Sequence, residues 1–223
     1  MENQIENLIN QITLIYQNKK VTPKYLKYLE DKNLKEELED APETVKKVVK
    51  ACEELGIRQY SGFIHVESDY YDWELQRRAL RVLAPSKEHM CKTVVMENTR
   101  CSVNDMKDPL NSKYYAVCVQ YTSKLNTQKL MNFVRSLKNK TISKKHYNFR
   151  LASPEKSAEL TGFDKNGVCP IGTVEKIPVI ITEEMAKLDP PIFYLGAGDV
   201  DWKWRISIDA FIKATNCWVV DLS

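Results

Sequence analysis

Glycine is scarce in this chain, and its placement restricts the fold more than any other feature. Seven occur among 223 residues, none before Gly56, and three fall with a proline and a cysteine inside "TGFDKNGVCPIG", Thr161 to Gly172. Two more, Gly196 and Gly198, stand in "YLGAGDVD". Glycine admits positive φ and close approach to the main chain, and exposed N–H groups in such turns cradle oxyanions or phosphates. The second loop is read as the opposite lip of a site built by the first. Neither has the Walker or Rossmann spacing, which requires a following helix, so nucleoside triphosphate binding is disfavoured.

Around the loops, helical and strand patterns alternate. Ile5, Leu8, Ile9, Ile12, Ile15 and Tyr16 make one apolar helical face, and Tyr25, Leu26, Leu29, Leu34 and Leu38 a second. Pro42 closes this unit, which divides the chain into an N-terminal helical extension, 1–41, and a main domain, 42–223. The extension's apolar face packs on the main domain or docks another protein. Further on, "ETVKKVVKACEELG" and "YYDWELQRRALRVLAP" read as helices, with another from Asn126 to about Leu137. Ser153 caps a further helix with Pro154 at its first position, and Gly162 ends it. "QYSGFIHVES", "MCKTVVMEN", "KYYAVCVQYT", "YNFRLA", "IPVIIT", "PIFYLGAG", "DWKWRISI" and "CWVVDL" read as strands. Trp202, Trp204, Ile206 and Ile208 alternate with Lys203, Arg205 and Ser207, which predicts a half-buried strand with a basic outer face. Strands and helices without a regular βαβ repeat imply an α+β domain around a mixed sheet.

Charge and cysteine usage narrow the chemistry. The net charge is only +3, but "RSLKNKTISKKHYNFR", Arg135 to Arg150, holds six Lys or Arg and no acid. It is a solvated loop or a phosphate-attracting surface. Cys52, Cys91, Cys101, Cys118, Cys169 and Cys217 form no CxxC pair, and His65, His89 and His146 do not flank them at zinc-ligand spacing, so no metal site is expected. No apolar run approaches the roughly 20 residues that span a bilayer, and the start lacks a signal pattern. A soluble, cytoplasmic protein is expected.

Two side chains are candidates for chemistry. By alternation Lys92 shares a strand face with Met90, Val94 and Met96, so its ammonium either snorkels to water or points into a cavity where an anion meets it. Cys169 lies inside the first glycine loop as a pocket-lining group or, less in keeping with the absence of histidine beyond residue 146, a thiolate nucleophile.

The order "CKTVVM", "YYAVCVQY", "FRLASPEKSAELTGFDKNGVCPIG", "IPVIIT", "FYLGAGDVD", "ATNCWVVDL" resembles the YbaK/ProX family of aminoacyl-tRNA deacylases, associated with prolyl-tRNA synthetases, over about residues 43 to 223. "SDYYDW" and "HMCKTVVMENT" resemble its free-standing eukaryotic branch. The resemblance implies a curled mixed sheet with surrounding helices, and hydrolysis in trans of the ester of a mischarged tRNA without a cofactor. It assigns Lys92 and the amides of Gly167, Val168 and Cys169 to catalysis. Asn166, Pro170, Gly196, Ala197, Gly198 and Asp199 go to the aminoacyl pocket. Lys138, Lys140, Lys144 and Lys145 are the candidate tRNA contacts, and the N-terminal helices the candidate contact with a synthetase or other protein. Two departures stand out: Asn166 replaces the family's usual first loop glycine, and the second loop lacks the histidine of the inserted synthetase domains. The competing readings are a catalytically silent tRNA- or synthetase-binding adaptor and a cysteine hydrolase acting on a small metabolite.

Overall fold

The structure, a computed structural model, describes residues 38–223. The helical pair read from the sequence therefore lies, apart from its last few residues, outside the described residues. Helix α1 (Glu43–Glu54) starts after Pro42 and buries Val45, Val48, Ala51 and Cys52, one face at three- and four-residue steps. The remaining helices are α2 (Leu75–Arg81), α3 (Thr127–Leu137), α4 (Pro154–Thr161), α5 (Glu183–Ala186) and α6 (Ile208–Thr215). Asn126 caps α3 by accepting from the N–H groups of Gln128 and Lys129. In α4 the Ser153 side chain accepts from Lys156 N–H, Pro154 takes the first position, and Gly162 closes it at φ 75°. Helix α2 is shorter than its sequence pattern, because Tyr70–Asp72 winds as a separate 3₁₀ turn and Leu83 turns left-handed at φ 57°.

Eight strands follow among the described residues: β1 (Ser61–His65), β2 (Cys91–Asn98), β3 (Tyr114–Gln120), β4 (Phe149–Leu151), β5 (Val179–Thr182), β6 (Ile192–Gly196), β7 (Trp202–Ser207) and β8 (Trp218–Val220). They form two sheets. One is three-stranded and antiparallel, order β1-β7-β6; the other is five-stranded, order β4-β2-β3-β5-β8, with β5 parallel to both neighbours. A single parallel bridge, Met90 to Tyr194, joins β2 to β6. This is the expected α+β class with mixed pairing. Among the described residues no helix is long and apolar enough to cross a membrane.

One strand departs from its reading. β7 was expected to show a basic face to solvent, but it lies between β1 and β6, and Lys203 is 3% and Arg205 6% exposed. Helix α6 packs on β7 through Phe211 against Trp204, the Tyr70–Asp72 turn covers Lys203, and Gly62, opposite Arg205 on β1, leaves room for the guanidinium, whose Nε would lie 3.1 Å from a β-carbon there. Lys203 lies over the rings of Tyr70 and Tyr71 at 5.1 and 4.7 Å, and its Nζ donates to the Val200 carbonyl at 2.6 Å.

The two glycine loops meet main chain to main chain. Gly198 N–H donates to the Gly167 carbonyl at 2.8 Å, and a β-carbon on Gly196 would stand 2.8 Å from the carbonyl carbon of Gly167. Gly198, at φ 95°, also abuts α1, where a β-carbon would lie 2.5 Å from the Thr44 carbonyl oxygen. Gly198→Ala therefore combines left-handed strain with a clash against backbone, and should cost about 3 kcal/mol or more. Gly56→Ala, at φ 67° with nothing within 4 Å, should cost only the strain, about 1 to 2 kcal/mol. Urea unfolding of both variants measures the difference, and equal losses would show that the loops do not press on α1.

Candidate active site

A cavity of about 530 Å³ opens where the two sheets part company. On β2, Met90 accepts from Tyr121 N–H toward β3, whereas the Val95 carbonyl accepts from Ala152 N–H on the opposite side. Peptide groups alternate along a strand, so the N–H and C=O of Thr93 turn the same way as those of Val95, into the gap between β4 and β6. From the other wall, Ala197 N–H donates to Trp202 across β7, which turns the Gly196 peptide groups toward β2. The gap is thus edged by strand backbone. Its lining includes Lys92, Thr93, Val94 and Val95 from β2, Leu151 and Ala152 after β4, Pro154 and Ser157 from α4, and Phe163, Lys165, Asn166 and Val168 from the first loop. Tyr71, Tyr121 and Gly196 complete it.

Lys92 is half-buried, its ammonium 5.4 Å from the centre of the Tyr121 ring. Among the described residues no carboxylate forms an ion pair with it. The strand-face reading holds for Val94 and Met96, which pack with Val117 and Val119 on one face, and for Cys91 and Val95, which pack with Ala116 and Cys118 on the other, whereas Met90 packs apart with Ile192 and Tyr194. Among the described residues the lining carries two lysines and no carboxylate or imidazole. His89 is buried elsewhere between Ser86 and the Pro190 carbonyl, and His65 stacks on Trp202 beside a separate cavity.

The loop residues divide by which way they face. Asn166, Val168 and Gly196 line the cavity, whereas Gly167, Cys169, Pro170, Ala197 and Gly198 are buried behind it and Asp199 lines the cavity of His65. Several amides expected to face a ligand are engaged inside the fold: Gly167 N–H donates to Asp164, Ala197 to Trp202 and Gly198 to Gly167. Val168 N–H has no such partner among the described residues. Asn166 is left-handed at φ 70°, which accounts for the glycine usual there, since asparagine is among the few other residues that adopt this conformation readily. Cys169 is 0% exposed, and burial pushes its thiol well above the ordinary range. A thiolate nucleophile at that position has neither access nor ionisation.

The basic segment lies beyond β4. Lys138 is ion-paired with Asp108 at 2.7 Å, while Lys140, Lys144 and Lys145 are exposed. Tyr147 and Phe149 bury themselves against α3, and the chain then runs through β4 to Leu151 at the cavity rim.

The sequence profile of the aminoacyl-tRNA editing domain matches residues 76–214. The chain belongs to that family. Among solved structures, it is similar to a candidate trans-editing enzyme for prolyl tRNA synthetase, at 20% identity and TM-score 0.65, covering 82% of this chain and 99% of that one. It is also similar to a scaffold carrying a computationally grafted epitope, at 17% identity and TM-score 0.63, over 82% and 98% of the two chains. A hypothetical protein follows at 19% identity and TM-score 0.59, over 79% and 98%. Comparison with curated proteins finds no match. At these identities the structural likenesses bear on the fold, and the family assignment rests on the profile.

Tyr71, Tyr121 and Arg78 escaped sequence reading. The Tyr71 hydroxyl donates to the Asn166 carbonyl at 2.8 Å across 95 residues of chain, and Arg78 lies 5.4 and 5.0 Å from the Tyr71 and Tyr121 rings. The signal for Tyr121 was its place two residues beyond Val119, which the hairpin register sets opposite Lys92.

Behind these rings Lys203 titrates unusually. Burial pulls its pKa down to about 8 against the opposing pull of Asp201 and Asp199. The folded protein then releases this proton while the unfolded chain still holds it, up to about pH 10.4. Between those values the unfolded state binds more protons, so this group's penalty on stability is full below pH 8 and relieved as pH rises. From pH 7 to 9.5 the wild type should gain about 2 kcal/mol relative to Lys203→Met in denaturant unfolding. A constant difference between the two would mean that Lys203 is solvated.

Proposed function

We propose that this editing domain acts in trans on mischarged tRNA, hydrolysing the ester between the wrong amino acid and the terminal ribose. The observation that carries the reading is the unpartnered Val168 N–H on the wall of a cavity that also holds Lys92. Ester hydrolysis places negative charge on the carbonyl oxygen, and one aimed amide donor contributes roughly 3 to 4 kcal/mol to its stabilisation. Lys92 holds the anionic end of the substrate, the terminal phosphate, and so orients the ester against the loop. Val94, Val95, Phe163 and Val168 give the aminoacyl side chain an apolar seat.

Proton transfer is the remaining step. With no imidazole or carboxylate among the described lining residues, the acceptor is the ribose hydroxyl next to the ester, which comes with the RNA. The attacking water adds to the ester carbonyl as it passes a proton to that hydroxyl, which hands its own proton to the departing sugar oxygen. The C–O bond of the ester breaks, and the products are free amino acid and tRNA. Exposed Lys140, Lys144 and Lys145 offer the more distant phosphates a non-specific attraction.

Single-turnover hydrolysis over a panel of mischarged tRNAs tests the activity, and Lys92 tests the site. Lys92→Ala should lower the rate by about a hundredfold or more, the scale of losing one charge-assisted contact to the substrate. Lys92→Arg should recover only part of it, because a planar guanidinium does not reproduce a compact ammonium. Circular dichroism should be unchanged in both. A near-normal rate in the alanine variant would reduce Lys92 to a strand-edge lysine, and release of no amino acid from any tRNA by the wild type would favour the adaptor reading.

A further inference from the structure

We propose that Tyr71 is a positioning residue of this site, acting through the first glycine loop to aim Val168 N–H. The proposal rests on the reading above that this amide receives the developing oxyanion. Its basis is the orientation of two successive peptide planes. In the first, between Asn166 and Gly167, the carbonyl accepts from the Tyr71 hydroxyl at 2.8 Å and the N–H donates to Asp164 at 3.0 Å. In the second, between Gly167 and Val168, the carbonyl accepts from Gly198 N–H at 2.8 Å. A trans peptide holds N–H opposite C=O, so Val168 N–H points away from the β6–β7 loop that grips its partner carbonyl.

Gly167 is the hinge between the planes, and glycine is the residue least able to hold a hinge by itself. Its orientation must come from anchors on both sides. Gly198 anchors the far side through main chain, where no side-chain substitution reaches it. On the near side, Asn166 sits at φ 70°, which asparagine adopts readily but which does not by itself fix the peptide plane that follows. The Tyr71 hydrogen bond fixes that plane.

Tyr71 is itself held firmly. Arg78 stands 5.4 Å and Lys203 4.7 Å from the ring centre, and Tyr70 meets the ring edge-on at 5.5 Å. The ring therefore cannot follow the loop if the loop moves; it sets where the loop rests.

Tyr71→Phe removes the hydroxyl and keeps the ring with its cation and aromatic contacts. On a tRNA that the wild type deacylates, its kcat should fall about tenfold, or ~1.4 kcal/mol, with KM unchanged, because the amide acts on the transition state. The melting temperature should fall by no more than the few degrees that one lost hydrogen bond explains. Amide NMR gives a readout independent of turnover: the Gly167 and Val168 resonances should shift, and Gly167 N–H should lose protection from exchange. Unchanged kcat with unchanged resonances overturns the proposal, as does a fall in kcat accompanied by a raised KM and a larger fall in melting temperature, which marks general loosening. If the wild type hydrolyses no mischarged tRNA, the functional reading fails instead, and the two amides alone decide: unshifted resonances still overturn the role of Tyr71.

Discussion

The hydrogen bond from Gly198 N–H to the Gly167 carbonyl holds two loops at a separation that no side chain tolerates. A β-carbon on Gly167 would lie 2.9 Å from Asp199 N, one on Gly196 2.8 Å from Gly167, and one on Gly198 2.5 Å from Thr44. Three segments distant in sequence thus converge through main chain alone. Their contact closes the back of the cavity, turns Val168 outward and ties the site to the first turn of α1. It also explains Gly167, Gly172, Gly196 and Gly198, each of which stands against another backbone, while several other turns are made by residues such as Asn139, Lys140 and Asn216 at positive φ.

The sheet division supplies the other half of the geometry. β2 pairs with β4 at Met96 to Asn98 and bridges β6 at Met90, so the intervening residues keep one edge unpaired by any strand. An open strand edge is ordinarily a hazard for association. Here it is recessed between Leu151 and Gly196 and furnished with cations. Lys92, Tyr121, Arg78, Tyr71, Lys203 and Tyr70 alternate as charges and rings, with each neighbouring pair within 5.5 Å. Aromatic faces are weaker partners than carboxylates, so the rings hold the cations in place without cancelling their field. The resulting positive potential is available to an anionic ligand.

Much of this was legible locally. The cap and stop of α4 follow from Ser153, Pro154 and Gly162, because capping chemistry acts within one helical turn. Alternation placed Lys92 correctly since β2 keeps different neighbours on its two faces. The same rule misread β7: its polar positions looked solvent-facing, yet Lys203 is satisfied by carbonyls and rings and Arg205 is accommodated over Gly62. Alternation reports which residues share a face, not what covers that face. The Tyr71 to Asn166 contact was illegible for another reason, since a hydrogen bond across 95 residues depends on how the sheets pack. Counting glycines likewise located the loops without revealing that the amides of Gly167, Ala197 and Gly198 face inward.

The inward-facing amides also narrow the chemistry. A loop with every N–H turned to the ligand suits a tetrahedral phosphate, which presents several acceptor oxygens. This loop turns Gly167 N–H inward and leaves Val168 N–H unpartnered beside the cavity, where a donor matches a carbonyl oxygen gaining a single charge. The lining adds a cation but no protein base among the described residues, so the cavity by itself polarises an ester without deprotonating water. A free ester bound there would have its carbonyl activated and no acceptor for the proton. A ribose ester brings its own neighbouring hydroxyl. On the proposed reading, the missing base is then a source of selectivity: the protein completes its catalytic set only with a substrate that carries the last member.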